Sequence, residues 1–227
     1  MTSSAPEPST TAEPELSTTG AETPGSESPA RKRPRPGERR VQILQTLASM
    51  LEQPGTERIT TAALAARLDV SEAALYRHFA SKAQMFEALI DFIEQSVFGL
   101  IQQVNDREAD PLQRCRRMVA LLLQFGEKNP GMTRVMVGDA LVYENERLQQ
   151  RMNLFFDKIE ASLRQNLREA SVLTTASTPS VDVQADASAI TAFCVGRLLR
   201  YARSGFRRLP GEHLEHALNL LMPQGRL

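Results

Sequence analysis

ITTAALAARLDVSEAALYRHFASKAQMFEALI, residues Ile59–Ile90, carries two short helical patterns and the start of a third. Thr60 stands where a side-chain oxygen caps a helix, and Ala63, Leu64 and Leu68 follow on one apolar face. Asp69-Val70-Ser71 interrupts that pattern. Ser71 opens a second short helix, with Glu72 at its positive end. The spacing places Ala74, Leu75 and Phe79 inward and leaves Ser71, Ala73, Tyr76, Arg77 and His78 outside. Two short helices joined by a tight turn are the DNA-binding arrangement, the second lying in the major groove. An ordinary helical hairpin satisfies the same periodicity, so spacing alone does not decide.

Outward from this stretch the chain continues in helical periods. Helix one is predicted from Glu38 to Gln53, with Val41, Leu44, Leu47, Ala48 and Leu51 buried and Pro54-Gly55 ending it. Helix four runs from Ser81 to Asn105 on a stripe of Met85, Phe86, Leu89, Ile93, Val97 and Leu100. Helix five spans Pro111–Asn129, with Met118, Leu121, Leu122 and Phe125 inward. A short helix follows at Thr133–Leu141, a long one at Glu144–Ala170, a linker at Ser171–Ser180, and helices at Asp182–Arg207 and Glu212–Met222. The fold class is all-α, with about nine helices and no strand pattern.

Of the 227 residues 41% are apolar and none is Trp, which suits one small domain and one larger helical domain. The net charge is zero, but residues 1–30 hold five Glu and no base, while residues 31–90 hold ten Lys and Arg against six acids. The positive charge lies where DNA contact is read. Residues 1–36 carry almost no large apolar side chains and are expected to be disordered. Within Arg31–Arg40, the bases Arg31, Lys32, Arg33, Arg35, Arg39 and Arg40 are either a solvated charge cluster or an arm reaching DNA. Their place directly before helix one favours the arm. Cys115 and Cys194 lie in apolar helical patterns and read as reduced, buried thiols. Three scattered histidines make no metal-ligand set, no apolar run approaches a membrane span, and the N-terminus is no signal peptide.

The spelling Leu75-Tyr76-Arg77-His78-Phe79, then Ser81-Lys82, resembles the TetR family of bacterial DNA-binding proteins. The family usually has Gly in the turn, where this chain has Asp69; Asp tolerates left-handed backbone better than most residues. Arg58–Glu94, Leu121–Leu141, Arg147–Glu169 and Ala192–Phe206 further resemble the nucleoid occlusion branch of that family, over roughly Arg39 to Met222. The domains expected are a tail at 1–36, a helix-turn-helix domain at 37–83, and a helical dimerisation and partner-binding domain at 84–227.

Base contacts are expected from Ser71, Glu72, Ala73 and Ala74, with either alanine able to touch a thymine methyl. Glu72 is more simply a helix-dipole partner than a cytosine reader. The resemblance assigns Tyr76 and His78 to phosphate or sugar. Tyr76 could otherwise pack on helix two, and His78 could be a half-buried cap. Lys82, Thr60 and Thr61 are phosphate candidates at helix starts. In the TetR arrangement the last two helices pair with their copies, which would place Phe193, Leu198, Ala202, Phe206, Leu214 and Leu218 at a homodimer interface. A two-fold dimer suits a palindromic DNA site, with several dimers per site possible.

The narrower resemblance implies a second partner and neither catalysis nor cofactor. Proteins of that branch, when bound to palindromic double-stranded DNA, bind the C-terminal tail of the cell-division tubulin FtsZ and antagonise its polymers over the nucleoid. The matching positions are Phe92, Leu121, Lys128 and Asn129. On pattern alone Phe92 and Leu121 also read as core, and Lys128-Asn129 as the end of helix five. Leu100 stands where an Arg is usual and Gln124 where a Gly is usual, and Gln124 would narrow a groove. The resemblance implies a cytoplasmic, nucleoid-associated protein. The alternative is a ligand-responsive repressor of the same family, in which a small molecule shifts the recognition helices. No Ser/His/Asp, Cys/His or glycine-rich phosphate motif points to an enzyme.

Overall fold

Nine helices carry the chain: α1 Glu38–Leu51, α2 Thr61–Leu68, α3 Glu72–Tyr76, α4 Lys82–Arg107, α5 Pro111–Lys128, α6 Pro130–Met136, α7 Glu146–Leu173, α8 Ser180–Arg203 and α9 Leu214–Leu221. A 3-10 turn at Asp139–Leu141 lies between α6 and α7. The computed structural model describes residues 37–53, 59–173 and 180–222, and these nine helices are counted among them. The tail at 1–36, with Arg31, Lys32, Arg33 and Arg35, lies outside the described residues, as do Pro54-Gly55 and most of the expected linker. That linker is shorter than expected, because α7 continues to Leu173 and α8 already begins at Ser180.

Local chemistry sets the other boundaries. The helix expected at Thr133–Leu141 starts earlier, at Pro130, whose fixed φ and missing N–H suit a first helical turn. It stops before Gly138, which has φ 82°. α8 ends at Arg203, not Arg207, because Gly205 and Phe206 both take left-handed backbone at φ 62°.

The small domain is α1–α3 with the first turns of α4, built on Ile43, Leu47, Leu64, Leu75, Phe79 and Phe86. α1 also packs on α6. There a Cβ added to Gly131 would lie 2.0 Å from the Ala48 carbonyl oxygen, so the contact requires glycine. Val41 is exposed, contrary to the expected stripe, and Ile43 is buried instead. The faces of α1 against α2, α4 and α6 select Ile43, which the period alone does not distinguish. Leu100 is likewise exposed, and Ile90 and Ile101 fill the α4 stripe.

The larger part packs α5 against α4, α7 and α8, with Cys115, Leu123, Phe155, Ile190, Cys194 and Leu198 at its centre. Burial pushes both thiols up to about 12, so they stay protonated and inert near neutrality. α9 is held by Arg116, a buried guanidinium that donates to Glu215 at 3.1 Å and Asn219 at 2.9 Å. A row of ion pairs joins α4 to α7 and the turn before it. It comprises Lys82 with Glu144, Glu87 with Arg147, and Arg151 with Asp91 and Glu94, both at 2.8 Å.

Candidate functional site

Three successive helix starts are capped by their own side chains. The Thr60 hydroxyl accepts from the Ala63 N–H at 3.1 Å, Ser71 from Ala74 at 3.3 Å, and Ser81 from Gln84 at 3.2 Å. Each cap satisfies a donor that a helix start otherwise leaves to solvent. Between α2 and α3, Asp69 sits at φ 55°, ψ 51°, and its N–H closes the end of α2 on the Ala66 carbonyl. The left-handed turn that glycine would supply is thus made by Asp69.

α3 has five residues, too few to persist on its own. Leu75 and Phe79 anchor it in the core. At its start the Thr61 hydroxyl donates to Glu72 at 2.6 Å. Just past its end the Arg40 guanidinium donates to the His78 carbonyl at 2.8 Å and lies over the Phe79 ring at 4.1 Å. The residues left outward are Ser71, Glu72, Ala73, Tyr76, Arg77 and His78, with Ala74 half-buried. Tyr76 is 45% exposed, which disfavours packing on α2, and His78 is exposed, not a half-buried cap.

Several expected DNA contacts already have partners within the chain. Arg40 is a clamp between α1 and the end of α3 rather than part of a loose arm, and Arg39 donates to Gln42 at 2.9 Å. Lys82 is paired with Glu144. The Arg40 clamp leaves no mark in the sequence, since Arg40 and His78 are 38 residues apart.

A concavity of about 610 Å³ opens between α4, α5 and the start of α9. Leu121, Lys128 and Asn129 line it, as do both departures from the family pattern, Leu100 and Gln124. Lys128 is exposed, Leu121 is half-buried, and the Asn129 amide donates back to the Phe125 carbonyl at 2.8 Å. Phe92 is 48% exposed, so it is not core; it stands two turns before Leu100 on α4, outside the lining. Gly211 and Leu214 supply a wall that the sequence reading missed; Glu127 also lines the groove, as does Arg117, which is paired with Glu108 at 2.8 Å. The Tyr201 hydroxyl ties α8 to the α5 side of the groove by donating to the Glu127 carbonyl at 3.0 Å.

The expected dimer residues divide. Leu198, Ala202 and Leu218 are buried by their own chain, so they are protomer core and not available surface. Leu198 fills the space beside Gly126, where a Cβ would approach its Cδ2 to 2.4 Å. Phe206 stacks edge-on against Tyr201 at 5.2 Å, and Leu214 turns into the groove. Phe193 stays half-exposed on α8 beneath the Arg197 guanidinium, at 5.1 Å. Among the described residues no His, Cys, Asp and Glu cluster could hold a metal ion, and no helix is long and apolar enough to cross a membrane.

A capped helix-turn-helix on a larger helical body defines a DNA-binding regulator of the TetR type. Residues 43–89 match the model of the bacterial regulatory proteins of the tetR family, and residues 109–226 match the SlmA-like form of the tetracyclin repressor-like C-terminal domain. Nucleoid occlusion factor SlmA of Photobacterium profundum is 49% identical over 187 residues, covering 82% of this chain and 95% of that protein. The SlmA of Vibrio cholerae is 50% identical over the same shares. The chain belongs to the SlmA family of nucleoid occlusion factors. The fatty acid degradation regulator FadR from Bacillus halodurans has the same fold, with TM-score 0.68 over 84% of this chain and 97% of its own, at 13% identity.

Proposed function

We propose that a homodimer of this chain binds palindromic DNA and, in that state, captures the C-terminal tail of FtsZ and antagonises its polymers over the nucleoid. The observation that carries this is the groove: Leu100, Leu121 and Leu214 give it apolar lining, with the exposed base Lys128 and Asn129 at the end of α5, on the body that bears the helix-turn-helix. An extended peptide with apolar and acidic side chains fits such a surface. Phe92, exposed on the same helix as Leu100, extends the contact beyond the cavity.

Residues 37–83 form the DNA-binding part and residues 84–227 the dimerisation and partner-binding part. Ser71, Glu72, Ala73 and Ala74 face base edges; Tyr76, His78, Thr60, Thr61 and Lys82 take the backbone, assisted by the basic arm. Dimerisation uses the exposed sides of α8 and α9, with Phe193 and the exposed Leu220 in place of Leu198 and Leu218. The protein acts in the cytoplasm on nucleoid DNA, and its role is binding, without catalysis or cofactor.

The test is GTP-driven FtsZ assembly followed by light scattering, with the chain added alone and with a duplex it selects from genomic fragments. The expected result is suppressed scattering that is strongest with DNA and absent for FtsZ lacking its C-terminal tail. Scattering unchanged in all arms contradicts the proposal.

A further inference from the structure

Lys82, the phosphate candidate at the start of α4, already has an anion. Its ammonium pairs with Glu144, in the turn between Leu141 and α7, and the two side chains retain only 22% and 11% exposure. Such a pair is less screened than one on the open surface. Glu144 belongs to a segment, 139–146, that holds Asp139, Glu144 and Glu146 and no base. Glu144 therefore stands against a capped helix start, where backbone N–H groups also favour anions.

The row of α4–α7 ion pairs has an asymmetry. At Glu87, Asp91 and Glu94 the carboxylate is on α4 and the cation, Arg147 or Arg151, is on α7. Only the first pair places the cation on α4, at the edge of the helix-turn-helix. DNA, an anion, can compete for that cation from the recognition side. The remaining pairs hold the seam when Lys82 changes partner.

We infer that Glu144 is an intramolecular stand-in for a DNA phosphate at Lys82, lowering the affinity of the unbound protein and displaced when DNA binds. This rests on the DNA-binding reading above. A phosphate approaching the ammonium meets the charge of Glu144, so the two anions compete and DNA must exceed what the internal pair supplies.

The experiment measures anisotropy of a labelled duplex, selected from a random pool by the full wild-type chain, across a salt series. Glu144→Gln is expected to tighten binding by roughly three- to tenfold while lowering the thermal midpoint, a combination that a merely structural carboxylate would not give. In a Lys82→Gln background the same substitution is expected to have little effect, since its target is gone. Lys82→Gln should flatten the salt slope by about one unit in the Glu144→Gln protein, and by less in the wild type, where one ion pair replaces another. Glu146→Gln, an equal charge change at an exposed neighbour, controls for general field effects and should act the same with or without Lys82. Glu144→Gln that weakens binding as Lys82→Gln does would make Glu144 a positioning residue and overturn the inference. So would an equal gain in both backgrounds, or no gain while the wild type binds. A wild-type chain that selects no duplex refutes the DNA reading itself, and this inference with it.

Discussion

Helix α3 has five residues and buries one of them; α8 has 24 and carries Ile190, Cys194 and Leu198 into the centre of the protomer. The short helix is held by polar fastenings at each end: the Ser71 cap, the Thr61–Glu72 bond and the Arg40 clamp on the His78 carbonyl. The long one is held by apolar burial against α5, α6 and α7. A five-residue helix cannot stand on propensity alone. The reading surface therefore rests on two apolar anchors, Leu75 and Phe79, and a few replaceable polar contacts, while the body rests on many apolar ones. Loss of a fastening should loosen recognition while leaving the fold intact. Loss of packing should unfold the protein.

The sharpest way to break that contrast is Leu198→Ala. It should cost about 2–5 kcal/mol in urea unfolding, because it empties a site beside Gly126 that is already tightly filled. Its dimer dissociation, measured by sedimentation where both proteins are folded, should not change; a weakened dimer with native stability would return Leu198 to the interface. Gly131→Val comes next. Its Cβ would meet the Ala48 carbonyl oxygen, so a loss of about 1–3 kcal/mol is expected, along with looser packing of α1 on α6. Full native stability in that variant would mean that α6 does not pack as described.

Ser71→Ala should act at the other pole. Its cap is worth about 1 kcal/mol, felt locally, so DNA affinity should fall about fivefold with little change in the main thermal transition. A shift of the whole transition would show that α3 and the body unfold as one unit. The smallest effect concerns the thiols. Burial holds Cys115 and Cys194 up to about 12, above an ordinary thiol of 9.0. A raised folded value means full stability below the ordinary value and loss as pH rises through the interval toward 12. A thiol-disulfide reagent should thus label neither cysteine at neutral pH except at the rate of unfolding. Fast labelling of either in the native protein would contradict its burial.

The same contrast explains what was legible in the residues. The helix-turn-helix rests on neighbours in sequence: Thr60, Ser71 and Ser81 are caps, Asp69 is the left-handed turn, and Leu75 and Phe79 are the anchors. Each can be read within a few positions. The reading fails where the outcome depends on what covers a face. Leu198 and Leu218 have the apolar spacing of an interface, but Gly126 of α5 packs on one and Arg116 draws α9, which carries the other, onto its own chain. Val41 and Ile43 are both apolar, and the approach of α2, α4 and α6 separates them. The groove was half visible: Leu121, Lys128 and Asn129 lie on or at the end of α5, while Gly211 and Leu214 arrive from far downstream in the chain. The pairing of Lys82 with Glu144, 62 residues apart, could not be found without the fold.

The most direct test of the central claim, that one chain joins a DNA-reading face to a peptide groove, is anisotropy of labelled FtsZ-tail peptide with and without the selected duplex. The account predicts binding that DNA strengthens and that Asn129→Glu or Lys128→Glu abolishes while DNA affinity is retained. A peptide that stays unbound in both conditions, with DNA binding intact, would contradict it and leave a TetR-type repressor whose effector is a small molecule.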